Sequence, residues 1–168
     1  MPLTAYGATF RIVGPNGERM VAASDFFTMP TLQNVRKENV LADDEILTHV
    51  VLPAPGNVRS GHYEVRYKES HDWPLAFATV VLAMNGNTIR SARVVLGAVA
   101  PIPWRSTDAE QALVGKPLNE ATAAAAGEAA VRAAKPLSRN GYKVQLTKTA
   151  VKRAIMQIAG IKPVTLRA

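Results

Sequence analysis

Few side chains in this sequence are of types that carry chemistry unaided, and their spacing decides what each can do. The histidines are three: His49, His62 and His71. Asp72 follows His71 directly, but sequence neighbours do not face one another as a base and its orienting acid must. No serine sits in the Gly-flanked elbow that exposes a nucleophile. Asp43, Asp44 and Glu45 are contiguous acids, which do not converge on one cation, so they read as a solvated turn. The histidine spacing supports no zinc site. Cysteine is absent, which removes disulfides, thiolate-held iron–sulfur clusters and cysteine nucleophiles. Neither GxGxxG nor GxxxxGK(S/T) occurs, and Gly14-Pro15-Asn16-Gly17 reads as a hairpin turn that opens no helix. These residues predict a domain without an autonomous catalytic site.

Length and composition set the frame for such a domain. At 168 residues and 48% hydrophobic content the chain can bury a substantial core, as one ordinary domain or one domain with an extra piece. The longest apolar run, Leu75 to Met84, is too short to span a bilayer. The opening stretch MPLTAYGATFR has no basic leader followed by an apolar segment, which predicts a cytoplasmic protein. Twenty Lys and Arg against 13 Asp and Glu give a net charge of +7. The cations are scattered, with Arg36-Lys37 and Lys152-Arg153 the only adjacent pairs, and no recognition motif accompanies them. That pattern predicts an electrostatic surface for an acidic protein partner in preference to nucleic acid or a membrane.

The elements that must position these side chains follow from period and punctuation. Ala8 to Val13 and Glu18 to Ala22 flank Gly14-Pro15-Asn16-Gly17, a strong hairpin signal. Phe26 and Phe27 read as core plugs against that hairpin, with an aromatic face for a ligand as the sharper alternative. Thr31 to Asn39 is a loop, and Ile46 to Leu52 a strand after the acidic turn. Pro53-Ala54-Pro55-Gly56-Asn57 reads as a linker. His62 to Lys68 alternates, with Tyr63, Val65 and Tyr67 on one face and Glu64, Arg66 and Lys68 on the other. Leu75 to Met84 reads as a buried strand, although periodicity alone does not separate it from a short helix. With Thr88 to Val99 these make a three-stranded antiparallel meander. A helix over Asp108 to Val114 should have Thr107 or Asp108 as N-cap and Gly115 as C-cap, and Asn119 should cap a helix from Glu120 to Ala134. A last helix, Lys143 to Ala159, should bury Val144, Val151, Ile155 and Ile158 and turn Lys148, Lys152 and Arg153 outward.

The stretch Ala92-Arg93-Val94-Val95-Leu96-Gly97-Ala98-Val99-Ala100-Pro101-Ile102-Pro103-Trp104-Arg105, with Ala109-Glu110 and Leu113-Val114-Gly115-Lys116-Pro117-Leu118, carries a resemblance. It is similar to the C-terminal domain of the FAD-binding subunits of molybdenum hydroxylases, the xanthine dehydrogenase and carbon monoxide dehydrogenase flavoproteins. Asp44-Glu45-Ile46-Leu47 before Leu52-Pro53, Asp72-Trp73-Pro74-Leu75-Ala76, and Asn140-Gly141-Tyr142-Lys143 fit the same pattern in the same order. The resemblance implies an α+β fold. Residues 56–168 would form the meander covered by C-terminal helices, and residues 1–55 a β-rich remnant of the FAD lobe.

It further implies FAD as cofactor, with molybdopterin and iron–sulfur clusters on partner subunits and electrons passing through FAD to NAD or another acceptor. No catalytic residue is implied, but two flavin-contacting positions are. Leu47 would pack on the isoalloxazine ring, and Arg66 would place a cation near it, favouring the reduced anionic ring. Read from the residues alone, Leu47 is equally a core leucine and Arg66 equally a solvated strand residue. Family members carry an N-terminal lobe with Gly-rich segments around the FAD pyrophosphate, and this sequence has no such segments. A truncated or split subunit is therefore expected, probing as a weak FAD binder alone and pairing with a separate N-terminal FAD lobe. The competing expectation is a non-catalytic assembly or docking domain that no longer binds FAD.

Overall fold

Turn chemistry and alternation divide the chain into two antiparallel sheets, the second carrying three helices on one face and a short one on the other. The computed structural model describes residues 1–54, 56–68 and 71–162. After a short helix α1 (Pro2–Tyr6), β1 (Thr9–Gly14) and β2 (Gly17–Ala22) form the expected hairpin, with Gly14 opposite Gly17. Gly17 takes φ 109°, a conformation other side chains rarely adopt. β3 (Ile46–Val51) pairs on the other side of β1, giving the order β2-β1-β3. Phe10, Ile12 and Phe26 fill a small core beneath this sheet. Phe26 meets Phe10 edge-on at 4.8 Å and Phe27 at 5.2 Å, so the two phenylalanines do seat the loop on the hairpin.

The acidic turn before β3 is built, not merely solvated. Glu45 accepts Arg19 Nε and Nη2 at 2.8 and 2.7 Å and the Ala42 amide at 2.8 Å. The Arg19 guanidinium, then the Ala42 amide, pull the Glu45 carboxyl down to about 2 from an ordinary 4.5. A depressed folded pKa means the stabilisation is complete above about pH 4.5 and is lost as pH falls toward 2. Glu45→Gln should therefore flatten the acid limb of stability against pH in that window, measured by thermal melting from pH 6 to about 2.

The second sheet has order β4-β5-β6-β7. β4 (Val58–Val65), β5 (Ala76–Asn85) and β6 (Thr88–Gly97) are the expected meander, turning at Gly86 with φ 58°. Two corrections arise here. β4 starts at Val58 and ends at Val65, leaving Tyr67 84% exposed, and a two-residue strand β7 (Trp104–Arg105) adds a fourth member beside β6. The Pro101–Pro103 break reverses the chain so that it returns antiparallel. The linker's Pro55, the loop's Glu69 and Ser70, and most of the tail lie outside the described residues.

Alternation gives β5 two different faces. Ala78, Val80 and Leu82 point with Val94 and Leu96 of β6 into the main core, against α2 (Thr107–Leu113), α3 (Glu120–Ala130) and α4 (Tyr142–Ile158). Val81 and Val95 point the other way and meet Ala5 of α1. The alanine-rich α3 lets α4 approach closely: a Cβ on Gly127 would sit 2.7 Å from the Lys148 carbonyl oxygen. Asn119 caps α3 as expected, accepting the Thr122 amide at 2.9 Å. The N-cap of α2 is Ser106, not Thr107 or Asp108, and it makes no side-chain cap bond; α3 ends at Ala130, short of Ala134. Lys148 and Lys152 pair with Glu128 and Glu120 across the α3–α4 surface. Arg153 is not turned outward. Its guanidinium lies 5.1 Å from the Tyr63 ring centroid and donates to the Tyr63 hydroxyl, joining α4 to β4.

Candidate functional site

The face of the second sheet opposite the helices carries the densest polar chemistry. β4 alternates, so Tyr63 and Val65 enter the helix-covered core while His62 and Glu64 face outward. Thr79 of β5, opposite His62 in register, bonds its hydroxyl to His62 Nδ1 at 2.8 Å. His62 Nε2 reaches Glu64 Oε1 at 3.0 Å, and Arg66 donates Nη2 to Glu64 Oε2. The result is a continuous Thr79–His62–Glu64–Arg66 chain along one strand face. The His62 hydrogen bond, followed by the Arg66 guanidinium, holds the Glu64 carboxyl below the usual carboxylate range.

An aromatic platform sits beside this chain. The Phe77 ring lies 5.6 Å from His62 between centroids. It also lies so close over Gly97 that a Cβ there would meet Cζ at 2.1 Å. Glycine is required at position 97 for the ring to lie over the strand. The arrangement can bind or orient a charged or aromatic group. It has no nucleophile paired with a base, and among the described residues no three His, Asp or Glu side chains converge as metal ligands.

The two positions singled out from the sequence lie on different sheets. Leu47 is in β3, half-buried against the Phe10–Ile12–Phe26 core, with Ile12 as its register partner. Arg66 lies just beyond β4, exposed and paired to Glu64. They share no packing cluster. His62 joins Glu64 and Arg66 on one strand face, and the His62-x-Glu64-x-Arg66 spacing is a period-2 signal available in the sequence.

The stretch from Ala92 to Leu118 also gains a structural purpose. Glu110 of α2, only 7% exposed, accepts the Val94 amide at 3.1 Å and Arg105 Nε and Nη2 at 2.8 Å each. Arg105-Ser106 and Ala109-Glu110 therefore lock β6, β7 and α2 together. Behind them, a cavity of about 190 Å³ opens between residues 96–104, the end of α3 and the start of α4, where Lys143 Nζ donates to the Ala98 carbonyl at 2.9 Å.

The second sheet thus carries α2, α3 and α4 on one face, and α1 with the His62–Glu64–Arg66 chain and Phe77 on the other. No helix among the described residues is long and apolar enough to cross a membrane. Residues 61–158 match the CO dehydrogenase flavoprotein C-terminal domain, and the chain belongs to that family, the C-terminal part of molybdenum hydroxylase FAD subunits. The carbon monoxide dehydrogenase medium chain of Hydrogenophaga pseudoflava is 31% identical over 155 residues, covering 90% of this chain and 52% of the relative. The aldehyde oxidoreductase FAD-binding subunit of Escherichia coli is 28% identical over 142 residues, covering 84% and 41%.

Solved structures agree. Carbon monoxide dehydrogenase from Hydrogenophaga pseudoflava lacking the Mo-pyranopterin moiety superposes with a TM-score of 0.82 at 28% identity, over 95% of this chain and 55% of that one. Quinoline 2-oxidoreductase from Pseudomonas putida 86 gives 0.80 at 29% identity, over 95% and 54%. The chain spans about half the length, or less, of the curated relatives it matches.

Proposed function

We propose that this chain supplies the C-terminal part of an FAD-binding subunit in a cytoplasmic molybdenum hydroxylase of the xanthine dehydrogenase and carbon monoxide dehydrogenase type. In this reading its partners are an iron–sulfur subunit and a molybdopterin-binding subunit, and electrons leave through FAD to NAD or another acceptor. Residues 1–55 are the remnant of the FAD lobe and residues 56–168 the C-terminal domain, tied to each other by α1 where it packs on β5 and β6. The observation that carries the reading is the family match over residues 61–158, from within β4 to the end of α4.

In this reading two residues of the chain would reach one end of FAD, although they stand on different sheets. The half-buried Leu47 offers an apolar edge and Arg66 a cation, whereas no Gly-rich segment offers backbone amides to a pyrophosphate. When bound, the flavin would supply the redox chemistry. The chain's own contribution is electrostatic: Arg66 favours negative charge on the neighbouring ring, an effect that Glu64 partly cancels by pairing with it. In a reconstituted flavin-loaded complex, Arg66→Ala should lower the reduction potential by roughly 20 mV, the two-electron equivalent of about 1 kcal/mol. An unchanged potential removes Arg66 from the site.

A second reading, a docking domain that no longer binds FAD, is favoured by the structural occupation of both residues: Leu47 in the hairpin core and Arg66 on Glu64. Affinity purification from the native source separates the two. Co-purification of molybdopterin and iron–sulfur subunits with stoichiometric FAD supports the first reading. The same partners without FAD support the second, and absence of both subunits contradicts the assembly altogether.

A further inference from the structure

Where α1 and the hairpin sheet meet the outer face of the second sheet, there is a cavity of about 110 Å³ that the flavin reading does not use. Its polar lining is Thr4, Ser24, Arg93 and Arg105, with Gly7, Ala8 and Ala22 completing it. Arg93 and Arg105 reach it because both lie on the α1 face of the sheet, Arg93 opposite Val81 and Arg105 opposite Val95. The Arg93 guanidinium packs against Gly7, where a Cβ would meet Nη1 at 2.0 Å.

Two features of this lining favour an anion. Arg93 is exposed, and among the described residues it pairs with no carboxylate. Thr4 is 6% exposed and lines this cavity, which places its hydroxyl beside the two guanidiniums. Arg105 spends Nε and one Nη2 proton on Glu110, which leaves its Nη1 edge for another acceptor. Ser24 donates to Asp25 at 3.0 Å, so the available donors are the two guanidiniums and Thr4.

Donors without acceptors select an anion, and planar guanidinium forks match tetrahedral and carboxylate oxygens. The volume admits one phosphate-sized group and not a whole nucleotide. We propose that this cavity binds a single phosphate-sized oxyanion, held by Arg93 and Arg105 with the Thr4 hydroxyl as third donor. Bound there, it ties α1 and the hairpin sheet to β6 and β7. The site stands whether or not the chain carries flavin.

Melting the full chain in inorganic phosphate, against chloride at matched ionic strength, tests it. The expected result is a saturable rise of roughly 3–5 °C at ten times the dissociation constant. The rise should vanish in Arg93→Gln, weaken in Thr4→Val and persist in Arg36→Gln, a substitution at an exposed loop cation. ADP in place of inorganic phosphate distinguishes the sources: an Arg93-dependent shift with ADP alone assigns the phosphoryl group to a nucleotide whose remainder stays outside. Phosphorus NMR line broadening reads binding without melting should a variant be too unstable to compare. No saturable response to either probe, or a response unchanged in Arg93→Gln, overturns the site.

Discussion

Replacing Gly61 with alanine should lower the melting temperature by roughly 6–12 °C, corresponding to about 3 kcal/mol for a domain of this size. Gly61 is the point where β4 passes directly beneath α4. A Cβ there would lie 2.1 Å from the Ala154 carbonyl oxygen and 2.9 Å from Ile158 Cγ1. The first obstacle is helix backbone, which cannot rotate away as a long side chain can. Relief requires α4 to lift from the sheet, and α4 contributes Ala150, Val151, Ala154 and Ile155, all fully buried, to the main core. Gly141→Ala is the control. Gly141 has helical angles, φ −55° and ψ −30°, and nothing lies within 4 Å of an added Cβ. That variant should be neutral or more stable by about 0.4–1 kcal/mol, through the unfolded chain's lost freedom. Equal melting temperatures for Gly61→Ala and wild type would contradict the packing described for β4 and α4.

Glu110→Ala should cost about 2–4 kcal/mol, measured by denaturant unfolding. The loss has two parts. The Val94 amide, in a fully buried stretch of β6, is left without its acceptor, and Arg105 loses both of its bonds. Arg105 is 47% exposed, so water recovers much of its solvation, and the amide accounts for most of the penalty. Arg105→Ala acts through a different route. It leaves the Glu110 carboxylate buried without its cation but keeps its bond from the Val94 amide, so Arg105→Ala should cost less than Glu110→Ala in the same denaturant titration. An Arg105→Ala deficit equal to or larger than that of Glu110→Ala would contradict the share assigned to the amide.

Much of the architecture was legible because it rests on short-range signals. The hairpin announces itself by Gly14-Pro15-Asn16-Gly17, the meander by alternation and Asn85-Gly86-Asn87, and α3 by Asn119 three residues before the amide it caps. What escaped depends on where the chain returns in space. β7 is two residues long and exists only because the proline break brings Trp104 and Arg105 back beside Leu96 and Val95. α1 packs its Ala5 on Val81 and Val95, contacts that no local pattern in Pro2–Tyr6 encodes. Arg153 has the period of an outward cation but finds the Tyr63 ring, because α4 crosses β4 at Gly61. At the candidate site, the strand alternation placed Glu64 and Arg66 together, while Thr79 joined them only through the β4–β5 register.

The central claim is that these residues form part of an FAD-holding unit, and it is tested most directly by flavin uptake. The chain is mixed with the N-terminal lobe of an FAD subunit from this family, supplied as a separate polypeptide, with excess FAD, and the folded complex is isolated by gel filtration. The account predicts a yellow complex that retains about one flavin per pair, with neither half retaining it alone. A co-eluting, folded pair that stays colourless would contradict it.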